Sequence, residues 1–431
     1  MGIYFTNFFL LKRNKQKLKV LNIYLYIEHR NCIIGGLEMY QRVKEMVDVL
    51  YPKLVEIRRD FHQHPELGLE EYRTSHCVQK YLSQVGIKID QLIGKTAVVG
   101  IIEGQPDGKV IGLRADMDAL PIQEATNAPY ASVHPGKMHA CGHDVHTTIL
   151  LGAAIILSEL KSDYKGTVKL FFQPAEETVG GAKTMIEAGC MENPHVDHTL
   201  GLHVRPTLNV GEVGFHYGKC HAASDTLTIK IKGKQAHGAY PQDGIDAIVI
   251  AAQAVTALQT LVSRNLSPFE SAVLSLGMIE GGTAGNIICS DVTIRGTLRT
   301  LDNETREFMK KRIVEVVEYT AKANGGSATV LIEEGYAPLI NNHQVVEEVK
   351  EVAEALLGED KITIFDHPSL GVEDFAYFAQ AVPSCFYSLG TNNPDKGFIA
   401  TLHENTFDVD EECIKVGVTL QVLATLKLLE S

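Results

Sequence analysis

The stretch "MHACGHDVHTT", Met138 to Thr148, crowds His139, Cys141, His143, Asp144 and His146 together. A thiol among imidazoles has three chemical readings: a nucleophile, a redox thiol or a metal ligand. A lone cysteine is more often a small buried hydrophobe, but the surrounding histidines argue for chemistry here. Cys141 and His143 are two apart, so in an extended loop their side chains point the same way, as two ligands of one ion require. A helix beginning near Asp144 would hold that loop rigid, with His146 serving its first turn.

Further donors lie downstream. The apolar run "TVKLFFQP" leads into Ala175-Glu176-Glu177. Adjacent carboxylates at a strand end point in roughly opposite directions, so one can hold a metal while the other faces the water that the metal activates. "TLGLHVRP" places His203 at the end of another apolar run, and "ATLHENTFDVDEE" places His403 near the C-terminus. With Cys141, His143 and Glu177 they form a thiolate, imidazole and carboxylate set suited to zinc, manganese, cobalt or nickel. Five ligands suggest two ions. The sequence holds no HExxH, GxSxG, GxxxxGKS or strand-linked GxGxxG motif, and the glycine-rich "EGGTAGN" opens no helix. Cys-His nucleophilic catalysis would leave Glu176, Glu177, His203 and His403 without a common purpose.

The elements that must position these residues read as α/β. From Met39, "YQRVKEMVDVLYPKLVEIRRDFHQHPE" has helical spacing and stops at His64-Pro65. The runs "TAVVGIIEG" and "KVIGLRADMDALP" read as strands separated by the turn "QPDGK". A helix over about 144–160 and the strand "GTVKLFFQP" follow, which predicts a mixed sheet flanked by helices. Residues 224–334 break that rhythm with the order βαββαβ, a ferredoxin-like unit read as an inserted dimerisation or lid domain. Residues 39–223 and 335–431 then form the catalytic domain.

Composition sets outer limits. The 431 residues exceed what one core usually supports. The net charge of -13 is spread along the chain without a basic stripe, which excludes nucleic acid as an expected partner. Cysteines without paired spacing predict reduced thiols in the cytoplasm. The apolar runs are too short or too soon interrupted to suggest a bilayer span. Residues 1–38 lack the layout of a signal peptide and read as a leader or disordered extension. Gly35-Gly36 can be encoded by GGAGGT, a ribosome-binding sequence, which would make Met39 the native start.

In order along the chain, "GLRADMDALPI", "GKMHACGHDVHT", "FFQPAEE", "GLHV", "GKQAHGAYPQDGIDAI", "GVEDFAYF" and "LHENTFDVDEE" resemble the aminoacylase and hippurate hydrolase branch of the two-metal exopeptidase superfamily. The resemblance runs from about residue 41 to the C-terminus. It implies hydrolysis of the amide bond of an N-acyl amino acid by a homodimer or homotetramer holding two divalent ions per subunit, Mn2+ or Zn2+ ahead of Co2+ or Ni2+. By motif it implies that Cys141, His143, Glu177, His203 and His403 are the ligands and Glu176 the general base. His237 resembles a lid histidine that reaches the partner's active site and stabilises the oxyanion. Asn286 and Arg299 resemble residues that hold the substrate carboxylate or the oxyanion.

Two departures are visible. The wider superfamily carries an HxD motif where this chain has "ADMDALP", so Asp116 stands at the histidine's place, Cys141 replaces that ligand, and Asp118 is expected behind the ligands, as are His139 and Asp144. Cys289 stands where proline is common. Dipeptidase, carboxypeptidase and N-acetyl-diaminopimelate deacetylase activities are alternatives on the same scaffold. A non-catalytic metal-binding protein is the alternative from another class.

Overall fold

The computed structural model describes residues 38–431. The leader reading and the proposed start at Met39 turn on residues 1–37, which lie outside the described residues. Residues 38–63 are helical, as their spacing predicts.

An eight-stranded mixed sheet runs in the order Lys88–Ile93, Ala97–Glu103, Lys165–Gln173, Gln105–Asp116, His198–Asn209, Ser384–Asn392, Val213–Phe215, Ile362–Ile364. Its central strands are apolar on both sides, as in the buried "AVVGII" of Ala97–Glu103, because both faces are covered. One face packs against helix 38–63 and the helices Tyr72–Gln84, His143–Glu159, His343–Leu357 and Cys413–Glu430. The other packs against the short helices Gly181–Glu187 and Ala376–Ala381.

The expected turn at "QPDGK" is not a hairpin. Ala97–Glu103 pairs antiparallel with Lys165–Gln173, and Gln105–Asp116 pairs parallel with the opposite edge of that same strand. The segment joins the second ladder at Gln105 and slips register before Val110. Asp107 adopts a positive φ of 66°, and a β-carbon on Gly108 would meet Gly166 N at 2.4 Å. The turn-like residues therefore form a bulge against a close backbone neighbour.

A separate four-stranded antiparallel sheet has the order Ala272–Gly281, Asp291–Thr300, Ala223–Lys232, Ser327–Glu334. Helices Ala247–Thr260 and Asn303–Ala323 pack on it around a core of its own. The anticipated strand 286–300 is broken at Cys289 and Ser290. Ile287–Ile288 pairs instead with Ala236–His237 in a two-stranded piece.

Helix Ala247–Thr260 continues through a π-turn to Asn265, and these 19 residues are long and apolar enough to cross a membrane by length and composition. A core helix passes the same test of length and composition. Ala247, Ile250, Ala251, Ala254, Leu258 and Leu261 are buried in the core of the four-stranded sheet.

Candidate metal centre

Asp116 and Gln173 end two parallel strands and are paired with each other, so the loops after them open side by side. Such strand ends are where open α/β sheets place ligands. One loop carries Asp118, the other Glu176 and Glu177, and the neighbouring strand His198–Asn209 carries His203.

The segment Cys141–His143 is not extended, contrary to expectation. Gly142 takes φ 85°, and His143 is already the first residue of helix His143–Glu159. A β-carbon on Gly142 would meet Val204 Cγ2 at 2.4 Å, so glycine is required for both conformation and space. The turn still brings Cys141 and His143 to one place. Cys141, His143 and His203 offer donor atoms within 4.8 Å of one another, as do Cys141, Glu177 and His403, and His143, Glu176 and Glu177. Cys141 Sγ lies 3.4 Å from His203 Nε2, and His403 Nε2 lies 3.2 Å from Glu177 Oε1.

The carboxylates of Glu176 and Glu177 thus converge, correcting the expectation that they diverge. The cause is Ala175, whose φ of 60° takes the chain out of strand geometry. A left-handed alanine costs on the order of 1–3 kcal/mol. It is held by Ala175 N–H donating to Glu71 Oε1 at 2.9 Å and by Gly180 N–H donating to Ala175 O at 2.9 Å. His403 also has a positive φ, 67°, and its N–H donates to Ala140 O at 2.8 Å.

Electrostatics separates the two glutamates. Burial, then the nearby Glu373 and Asp374, pushes the Glu176 carboxyl well above its ordinary range. Burial also opposes ionisation of Glu177, but the contacts with His403 and the charge of His143 bring it down to about 2. Burial drives the His203 imidazole well below its ordinary value, which keeps it neutral as a ligand must be.

The donor set fits a cation. Both ring nitrogens of His143 and Oε1 of Glu177 are buried without a hydrogen-bond partner. His143 lies 3.6 Å from Asp116 and 3.3 Å from Asp118, close but misaligned for hydrogen bonds. Unpaired buried polar atoms are costly, and a divalent ion would satisfy Glu177 Oε1 and one ring nitrogen of His143.

Behind the donors, Asp118 accepts the N–H groups of Glu176 and Glu177. Asp144 pairs with Arg58 at 2.8 Å and His62 at 2.7 Å. Neither ring nitrogen of the buried His139 has a partner, and burial pushes its pKa down to about 3. His146 does more than serve a helix turn: Nδ1 lies 2.6 Å from Asp116 Oδ1, and Nε2 accepts the Val204 N–H at 2.9 Å. That pair of bonds puts the ring proton on Nδ1.

A cleft of about 780 Å³ opens over the cluster, lined by Cys141, Glu176, Glu177, His203, His403 and Arg299 among others. Arg299 is anchored by donation to Leu370 O at 2.8 Å. His237 and Asn286 do not line this cleft. They lie together at the two-stranded piece, where Gly238 N–H donates to Asn286 O at 2.8 Å and His237 packs beside Tyr240.

Several residues of the site were not singled out from the sequence. Buried Arg114 contacts Asp116 at 2.7 Å, Glu373 at 2.9 Å and Asp374 at 2.8 Å. Burial, only partly offset by Arg114, raises Glu373 to about 7. Buried Arg58 reaches Asp144 and also Asp408, at 2.7 Å. The available signals were an arginine inside the apolar strand "IGLRA" and an acidic pair inside "GVEDFAYF".

Residues 112–426 match peptidase family M20/M25/M40, and the chain belongs to that family. The N-acetyl-L-cysteine deacetylase of Bacillus subtilis is 42% identical over 369 residues, 85% of this chain and 86% of that protein. The IAA-amino acid hydrolase ILR1-like 4 of Arabidopsis thaliana is 41% identical over 382 residues, 88% of this chain and 86% of that protein. Among solved structures, the YXEP protein of Bacillus subtilis, described as a dinuclear metal-binding peptidase of the M20 family, is 34% identical. It superposes with a TM-score of 0.77 over 89% of this chain and 99% of that one.

Proposed function

We propose that the protein is a metal-dependent amidohydrolase that cleaves the amide bond of an N-acyl amino acid, releasing a carboxylic acid and a free amino acid. The observation that carries this reading is the convergence of Cys141, His143, His203, Glu177 and His403 around buried Glu176 at the floor of an open cleft. Relatives named as an N-acetyl-L-cysteine deacetylase and an IAA-amino acid hydrolase support the substrate class.

Cys141, His143 and His203 would hold one divalent ion, and Cys141, Glu177 and His403 a second, with manganese or zinc ahead of cobalt and nickel for this mixed donor set. Such ions supply Lewis acidity to an acyl carbonyl and to water. Glu176 takes the proton from the attacking water and delivers it to the departing nitrogen. Arg299, at the cleft wall, binds the substrate carboxylate.

The four-stranded sheet serves as a lid and dimerisation unit, and His237 and Asn286 act in the partner's cleft. Supporting this are their position away from the cleft of their own chain and the exposed apolar residues Ile248, Val249, Met278 and Ile279 on that unit. The free cysteines of the described residues suit a reducing cytoplasm.

Glu176→Gln should keep its metal and lose turnover by at least a hundredfold, and retained turnover would refute the base assignment. Mixing His237→Ala with Glu176→Gln subunits should regenerate active sites if His237 acts across the dimer. Absence of complementation would place it elsewhere. Carboxypeptidase action is a second reading, favoured by a 36% identical relative over 395 residues, thermostable carboxypeptidase 2 of Saccharolobus solfataricus. Parallel assays on N-acyl amino acids and dipeptides separate the two.

A further inference from the structure

The peptide that carries Glu176 is held at both of its polar ends. Its N–H donates to Asp118 Oδ1 at 3.0 Å, and its carbonyl accepts from the hydroxyl of Tyr336. Asp118 follows a strand of the large sheet. Tyr336 instead lies between strand Ser327–Glu334 of the four-stranded sheet and strand Leu339–Asn341, on the segment where the chain returns to the large sheet.

That return segment is tied to the outgoing one. Ser224 N–H donates to Tyr336 O at 3.1 Å, and Gly335 N–H donates to Ser224 O at 2.9 Å. Arg306, on a helix of the small sheet, clasps both: it pairs with Asp225 at 2.6 Å and donates to Gly335 O at 3.2 Å. The Tyr336 ring fits because Gly180, at φ 79°, has no side chain. A β-carbon there would stand 2.7 Å from Tyr336 Cε1. Burial, then Asp374 and Glu176, pushes the phenol's pKa up, so it stays protonated and donates.

Any rotation of the small sheet about these crossovers would move the Tyr336 hydroxyl, and through it one end of the Glu176 peptide. The backbone direction of Glu176 in turn aims its carboxylate. We propose that Tyr336 is a positioning residue that couples the crossovers of the four-stranded sheet to the orientation of Glu176. This rests on the reading of Glu176 as the proton carrier.

The test uses the metal-loaded full-length enzyme and three variants. Tyr336→Phe removes only the hydroxyl. Tyr377→Phe removes a neighbouring hydroxyl whose contact is Gly335 O at 3.4 Å, not Glu176. Glu176→Gln tests the underlying assignment. The expected result for Tyr336→Phe is a fall in kcat of at least fivefold with KM changed less than twofold, metal content intact and the melting temperature within a few degrees of the parent. Tyr377→Phe should turn over as the parent does. Unchanged kcat in Tyr336→Phe overturns the proposal. So does a rise in KM that matches the loss of rate, loss of metal or fold, or an equal kcat loss in Tyr377→Phe. Turnover retained by Glu176→Gln would instead overturn the assignment beneath it, and a dead Glu176→Gln with a normal Tyr336→Phe would overturn the coupling alone.

Discussion

Asp118 accepts the main-chain N–H groups of both Glu176 and Glu177, one at each carboxylate oxygen, at 3.0 and 2.9 Å. One side chain thereby sets two successive peptides and the glutamates they carry. Asp118→Ala leaves both donors without their partner in a buried setting, at about 1–3 kcal/mol for each. Urea unfolding should show a loss of about 2–6 kcal/mol, accompanied by a larger proportional fall in kcat than surface variants show. Parental stability in this variant would mean that the loop is held by its other contacts.

The proposed role of Cys141 as a ligand predicts that metal retention depends on pH. Burial pushes its thiol well above the ordinary range, and a thiolate ligand must give up that proton on binding. Affinity therefore weakens as pH falls. Elemental analysis after gel filtration at a series of pH values should show metal lost from the parent in mildly acidic buffer, and a Cys141→Ser protein with less metal at every pH. Chelator treatment of the parent should lower its melting temperature, because an ion that binds only the folded state stabilises it. Equal metal content and rate in Cys141→Ser would remove Cys141 from the ligand set.

His62 predicts a second, separate pH effect. Burial and Arg58 disfavour its charge, but Asp144 and the bonds to Asp144 and Glu124 outweigh them and raise its pKa to about 8. A raised histidine pKa stabilises the folded state fully below the unfolded value of about 6.5, and that contribution is lost as pH rises through about 8. Its size is on the order of 2 kcal/mol. The stability gap between the parent and His62→Gln should therefore shrink between about pH 6.5 and pH 8.5. A gap independent of pH would show that His62 is neutral throughout.

The donors were legible because metal chemistry restricts residue type: thiol, imidazole and carboxylate at the ends of apolar runs leave few other purposes. The order of strands and helices in 224–334 was legible for a similar reason, since alternating and helical periods are local properties. What local patterns could not convey was partnership across the chain. Arg58 and Asp144 are separated by 86 positions and Arg114 and Asp374 by 260, yet each pair is in contact. The "QPDGK" bulge misled for the same reason, because glycine and aspartate permit a turn and a bulge equally. Whether the chain reverses or steps across depends on which strand lies beside it.

The paired crossovers at Ser224 and Tyr336 have a further consequence. Although 112 positions apart in sequence, their backbones are hydrogen-bonded neighbours. To the large sheet, everything between them is a loop whose ends already meet. The entropy of closing such a loop grows only slowly with its length. The large sheet is therefore nearly indifferent to how much chain is stored in that excursion, and a short hairpin spliced at the two positions would leave its ladder of strands in place.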